Sequence, residues 1–199
     1  MDEYYLFTGE DSLPAAIAYA LGIDKLSFEL IPDLKDAIAV PFDLTLRAGH
    51  LKNDRLVHSD DFSDIGNIWT DYMPNEFTWL LMSSKMRKVI DSQLSGEESI
   101  DWLTCGIGHA GEVVTYNVLR FDKPLDVLNI EETTFVKGTD HIIKPVFAQK
   151  KIRNYKVFNK PSFGDNWRIP PAVYIATSVK QAIEKAGLTG VAFSRAKVV

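Results

Sequence analysis

Val173-Tyr-Ile-Ala-Thr-Ser-Val-Lys-Gln-Ala-Ile-Glu-Lys-Ala-Gly-Leu-Thr-Gly-Val-Ala-Phe193 reads as a strand, a helix, a glycine stop and a second strand. Residues 173–176 are β-branched or apolar. Thr177 or Ser178 offers a side-chain oxygen to the unpaired N–H groups of the next turn, and Val179, Ala182, Ile183 and Ala186 recur on one helical face. Gly187 supplies the left-handed residue that ends such a helix. The same pattern occurs earlier in Trp79-Leu-Leu-Met-Ser-Ser-Lys-Met-Arg-Lys-Val-Ile-Asp91, where Ser83 or Ser84 caps a helix with Met86, Val89 and Ile90 on one face. One supersecondary unit is therefore used twice.

Working outward, Tyr4 to Phe7 suits a short strand. Ser12, with Pro14 in the first turn and Gly22 as the stop, predicts a helix, and the alternation from Leu26 to Ile31 predicts another strand. Residues 33–64, broken by Pro41, Gly49 and Asn53-Asp54, read as short strands and turns. Residues 112–120 form a β-branched, aromatic strand, and segments 121–127, 142–147 and 152–158 are further strand candidates. Residues 161–171 read as turns. Many strands interspersed with few helices make an α+β chain, mainly antiparallel. With 199 residues and 46% of them hydrophobic, the chain suits one domain spanning residues 1–199, of which 1–41 is the part least defined by pattern.

The ordered set of 81–90, the strand-like Thr115-Tyr-Asn-Val-Leu-Arg-Phe-Asp-Lys-Pro-Leu-Asp126 and the ending Ile183-Glu-Lys-Ala-Gly-Leu-Thr-Gly-Val-Ala-Phe193 resembles a bacterial immunity-protein family of polymorphic toxin systems, immunity family eleven, formerly a domain of unknown function. The resemblance runs from about residue 42 to residue 193. It implies a protein that binds and neutralises a cognate toxin made by its own lineage and encoded by an adjacent gene. It implies no catalytic residues, no cofactor and no metal.

Charge adds a location. The net charge of −5 conceals a first part, residues 1–76, with 15 acidic and 5 basic residues, and a remainder with 12 acidic and 17 basic. Asp54, Asp60, Asp61, Asp64, Asp71 and Glu76 face only Arg55 within residues 54–76, with Trp69 and Tyr72 among them. Such a run is usually a solvated surface. Against a cationic partner it accelerates encounter, and aromatic anchors supply binding energy on desolvation. Asp60, Asp61, Asp64, Trp69, Asp71 and Tyr72 are therefore the candidate partner-binding residues, and a nuclease, basic where it grips phosphate, suits the acidic field.

Other chemistry competes with that reading. Gly106-Ile-Gly-His-Ala-Gly111 matches the letters of a dinucleotide-binding loop, but a strand-forming segment follows where a helix is required, so a flexible turn is expected. Cys105, His109 and Glu112 compose the nucleophile, base and orienting carboxylate of an alternative small enzyme. His50, His58, His109 and His141 lack zinc-hydrolase spacing, and His58 beside Asp60 and Asp61 is the one histidine–carboxylate cluster. Lys144, Lys150, Lys151, Arg153, Lys156, Lys160 and Arg168 interleave with Ile152, Tyr155 and Phe158, the pattern of an alternative nucleic-acid-binding module. Cys105 is the only cysteine, which excludes an intrachain disulfide. The absence of a basic-then-apolar leader at Met1-Asp-Glu-Tyr and of any apolar run near 20 residues predicts a soluble cytoplasmic protein.

Overall fold

The ten-residue strand β7 (Glu112–Phe121) is buried on both faces along its second half, and its alternation divides the interior. Tyr116 and Val118 enter one core, whereas Leu119 and Phe121 enter the other. A computed structural model describes residues 3–162 and 164–199; Met1, Asp2 and Phe163 lie outside the described residues. Within them the chain forms β1 (Tyr4–Gly9), β2 (Ala15–Tyr19), α1 (Ser27–Leu34), β3 (Leu44–Lys52), β4 (Arg55–Ser59), β5 (Leu81–Ser83), α2 (Ser84–Asp91), β6 (Ile100–His109) and then β7. The remainder comprises β8 (Thr134–Phe135), β9 (Ile142–Lys144), α3 (Gln149–Ile152), β10 (Val157–Phe158), β11 (Val173–Ala176), α4 (Thr177–Lys185) and β12 (Val191–Arg195).

The strands make two principal sheets. One has the order β10-β11-β1-β12 and is antiparallel throughout. The other has the order β2-β3-β6-β7-β5, with β4 also on β3, and its single parallel pairing joins β3 to β6. Strands β8 and β9 form a separate hairpin. This is an α+β fold, mainly antiparallel. The first core joins the smaller sheet, α2 and α4 to one face of the larger sheet, through Met86, Ile90, Val179, Ile183, Phe147 and Phe158. The second core sits on the opposite face, under Leu30, Ile31 and Leu34 of α1.

The doubled unit is present in both places: β5 runs into α2 and β11 into α4, and the two helices touch, with Lys85 Nζ donating to the Ala186 carbonyl at 3.0 Å. Ser83 caps α2, its Oγ accepting from the Met86 N–H at 3.1 Å. The side-chain cap expected from Thr177 or Ser178 is not made. Ala176 occupies the N-cap position, and the Thr177 hydroxyl and N–H both donate instead to the Glu3 carbonyl at 3.0 Å, fastening α4 to the start of β1. Gly187 ends α4 at φ +62°, as expected.

Two early elements exchange identities relative to expectation. The alanine-rich segment after Pro14 is strand β2, not a helix, because it pairs with β3 over five residues and the Ala18 N–H donates to the Pro74 carbonyl at 2.8 Å. Residues 26–31, expected as a strand, open helix α1. The Glu29 carboxylate accepts the Leu26 N–H at 2.7 Å, closing the first turn. Pro32 lies inside α1, and its missing donor is offset by burial of Leu30, Ile31 and Leu34. At the other end of α1, Arg120 Nη1 donates to the carbonyls of Leu34, Lys35 and Ala37, while Nη2 pairs with Asp101. A buried guanidinium thus satisfies carbonyls that the helix itself cannot.

Later segments differ too. Residues 106–109 are the end of β6 rather than a flexible turn; the turn to β7 is Ala110-Gly111, at φ +51° and +85°. Residues 152–158 are not one strand, since α3 ends at Ile152 and only Val157–Phe158 is extended. Segment 121–127 forms no second strand; Leu125 and Val127 fill the first core, and Leu128 makes an isolated bridge to Phe147. No helix among the described residues is long and apolar enough to cross a membrane.

Candidate functional site

The first part of the acidic run, residues 54–64, lies on and just after the β3–β4 hairpin of the larger sheet. Asn53 and Asp54, both at positive φ (51° and 57°), make the two-residue turn that matches the twist of the flanking strands. The chain leaves β4 at Ser59, whose hydroxyl contacts the Asp61 N–H and carbonyl at 3.4 Å. The Asp61 carboxylate accepts the Ser63 N–H at 3.0 Å, and that backbone bond, followed by the Ser63 hydroxyl, holds its pKa below the ordinary range. Asp60 stands 3.5 Å from Arg47 of β3, with its side chain 88% exposed. Asp64 lies 3.4 Å from His50 Nδ1, while the other nitrogen of His50 faces the Ser59 hydroxyl at 3.3 Å.

Aromatic rings pin this loop to the sheet. Phe62 meets the His109 ring at 4.5 Å, and Trp69 stacks on Tyr116 at 6.4 Å while its neighbour His109 lies edge-on at 6.4 Å. Asn67 Oδ1 accepts the Trp69 N–H at 3.1 Å, and the Tyr116 hydroxyl donates to the Thr70 carbonyl at 2.6 Å. The loop therefore displays three carboxylates on a fixed base. Their partners are exposed or half-exposed, and ion pairs of that kind contribute only about 0–1 kcal/mol, so the carboxylates can be drawn to an incoming cation.

The six nominated residues divide. Asp60, Asp61 and Asp64 are exposed and close in the chain, and Trp69 is half-buried beside them. Asp71 and Tyr72 do not join that surface. Asp71 accepts from the Ser83 hydroxyl at 2.6 Å and the Thr189 N–H at 3.0 Å, tying the loop to the α2 cap and to the turn before β12. Tyr72 is buried against Phe7 at 5.7 Å, in the first core, and desolvation pushes its hydroxyl up to about 12. Gly190 lets the chain close around it: at φ +78°, an added Cβ would lie 2.5 Å from the Tyr72 carbonyl oxygen. A tyrosine committed to the core contributes to the fold and presents no anchor to a partner.

The rival constellations are not assembled. Cys105 and His109 lie on one extended strand, four residues and so roughly 13 Å apart along β6. Glu112 is opposite His109 in the hairpin, farther still from the thiol. Cys105 is 1% exposed, and burial, with the Asp43 charge second, pushes its thiol up to about 12. Gly106 and Gly108 lie within β6, and an added Cβ at Gly106 would sit 2.5 Å from Asp43 Oδ1, so that glycine answers to close packing rather than to a phosphate. His58 meets Tyr19, with ring centroids 4.7 Å apart, rather than a carboxylate. No group of three or more His, Cys, Asp or Glu able to hold a metal is present among the described residues.

The basic stretch is likewise divided. Lys151 pairs with Asp126 at 2.7 Å and donates to the Leu128 carbonyl at 3.0 Å, and Arg168 sits over the Trp167 ring beside Asp165. Lys144 belongs to β9, Lys150 and Lys151 to α3, and Arg153 follows α3. Residues that sequence reasoning did not place at the acidic end are Arg47, His50 and His109. The hairpin signal Asn53-Asp54 would have brought His50 to Val57 and hence close to the acids, but nothing in the linear pattern joins β6 to β3. No protein-family model matches this chain, and no characterised protein matches it in sequence.

Proposed function

We propose that this chain is an immunity protein: it binds a cognate bacterial toxin encoded by an adjacent gene and neutralises it by stoichiometric occlusion in the cytoplasm, without turnover, cofactor or metal. The observation that carries the proposal is the loop after β4, which presents Asp60, Asp61 and Asp64 to solvent from a base fixed by Phe62 and Trp69. Carboxylates held in place steer a cationic partner and lose little freedom when it docks. The resemblance of residues 42–193 to immunity family eleven supports the same reading, and the acidic field suits a toxin that is basic where it grips nucleic acid. Separation of Cys105 from His109 removes the specific support for an enzyme.

The test is genetic and biochemical. Expression of the toxin domain from the adjacent open reading frame arrests growth, co-expression of this chain restores it, and the two products co-purify. Unchanged toxicity with both proteins folded and abundant would refute the proposal.

A further inference from the structure

The larger sheet treats its edges unequally. At β2 the outer edge is closed by residues 74–76, through the bond from Ala18 N–H to Pro74 and the return bond from Glu76 N–H to the Ala18 carbonyl at 3.2 Å. At β5 the outer edge is closed by residues 71–73, through Ser83 N–H to the Asp71 carbonyl at 2.7 Å and Met73 N–H to the Leu81 carbonyl at 2.9 Å. Strand β4 has no such cover: among the described residues its backbone bonds are those of its ladder to β3. Four of its five residues are exposed, as are Leu51 and Lys52 at the end of β3 that faces its first residues. Leu51, Leu56 and Val57 are 61%, 47% and 37% exposed. An unbroken edge of this kind, without proline or bulge, is a template for another strand.

The register says which groups are available. In a hairpin closed by two residues, the pair flanking the turn exchanges both main-chain bonds, and hydrogen-bonded pairs then alternate. Lys52 with Arg55, His50 with Val57 and Ala48 with Ser59 are therefore the bonded pairs. The N–H and carbonyl groups of Leu56 and His58 consequently point outward, to the open edge.

We propose that β4 takes an extended, basic segment of the toxin as an added strand, held by the main-chain groups of Leu56 and His58 and oriented by the carboxylates beyond its C-terminal end. The proposal rests on the immunity reading and assigns it a binding mode. Asp60, Asp61 and Asp64 lie at the base of the arm, whereas at its tip Lys52 and Arg55 flank the single carboxylate of Asp54, so negative charge concentrates at the base. That polarity places the segment's cations against the base and fixes its register, which main-chain bonds alone leave free. Leu56 and Leu51, directly opposite each other, supply one apolar face for an alternate side chain.

Amide hydrogen exchange on the full chain, alone and with the adjacent gene's toxin domain, tests this. In the free chain the Leu56 and His58 amides exchange rapidly, and those of Val57 and Ser59 more slowly. Binding slows Leu56 and His58 by about tenfold or more. Leu56→Pro, which removes an outward N–H and keeps every ladder bond, raises the Kd by about tenfold, and Leu56→Val, which keeps the N–H, restores most of the affinity. A complex that protects cells while Leu56 and His58 exchange at their free rates overturns the strand-addition mode and leaves the immunity reading standing. Failure of the parent chain to bind or protect overturns both. Concentration-dependent protection of these amides in the free chain shows a second copy on the edge, and also overturns the proposal.

Discussion

Glu98 is 1% exposed, and its carboxylate holds together two parts of the chain 58 residues apart. Oε1 accepts the Lys156 N–H at 2.7 Å and the Ser95 N–H at 3.0 Å, while Oε2 accepts the Gly96 N–H at 2.9 Å. Glu98→Ala removes the acceptor that these three backbone donors share, each lost bond costing about 1–3 kcal/mol where water cannot replace it. The Ser95 and Gly96 donors sit in an exposed turn that water can enter, so the expected loss is about 4 kcal/mol. For a chain of this size that lowers the melting temperature by roughly 8–16 °C. Glu98→Gln costs roughly half as much, because both oxygens are acceptors and either orientation of the amide aims an NH2 group at a backbone N–H. The pH dependence follows in sign. Burial pushes the Glu98 carboxyl up, but the bonds from the Ser95 and Lys156 backbone outweigh it and hold its pKa below the ordinary value. The folded pKa lies below the unfolded one, so this stabilisation is present above the ordinary glutamate pKa of about 4.3 and is lost as pH falls through the folded value. Melting followed by circular dichroism from pH 7 to pH 3 measures both effects. An Ala variant that melts within about 2 °C of the parent at pH 7, or a Gln variant that keeps the parent's full decline in acid, would refute the reasoning.

Three further outcomes are expected. Reversing Asp60, Asp61 and Asp64 to Lys slows toxin association and flattens its salt dependence, while Trp69→Ala acts mainly on dissociation; stopped-flow kinetics across a salt series measures both, and an unchanged association rate at low salt removes the acidic loop from the interface. Replacing Cys105 by Ala and His109 by Asn together leaves protection against the toxin intact, and the native thiol stays unlabelled by a maleimide at pH 7 until denaturant is added, because it is buried with its pKa pushed up to about 12. Arg120→Met removes the guanidinium donor from the carbonyls of Leu34, Lys35 and Ala37, leaving the Ala37 N–H on Leu34 and the Trp102 N–H on Asp101, and destabilises the fold by about 3 kcal/mol; a melting temperature equal to the parent's would show that water replaces the guanidinium without cost.

Local chemistry was enough to read several elements before any tertiary contact was known. The β5–α2 and β11–α4 units follow from residues that act within one turn of themselves: the Ser83 cap, the Met86 and Ile90 face, and the left-handed Gly187. The strand character of β7 and the α+β class rest on the same kind of periodicity. The concentration of acids in residues 54–76 was legible in the linear chain, but which of them form one surface was not.

What the linear chain did not contain is which partner each segment finds. Alanine propensity favours a helix at β2, but five pairings to β3 and the bond to Pro74 outweigh a preference of a few tenths of a kcal/mol per residue. The alternation of Leu26, Phe28 and Leu30 imitates a strand, yet the burial that decides the segment follows helical spacing through Leu30, Ile31 and Leu34, and Arg120, some 85 residues on, receives the end of the helix. Tyr72 and Asp71 read as surface because their neighbours are acidic. Only the approach of β1 and the turn before β12 shows that one is core and the other a tether. Cys105 and His109, adjacent in sequence terms, are separated because an extended strand spends about 3.3 Å on every residue. The open edge of β4 is likewise a property of the assembled sheet, since an edge exists only by comparison with strands whose outer groups are already bonded.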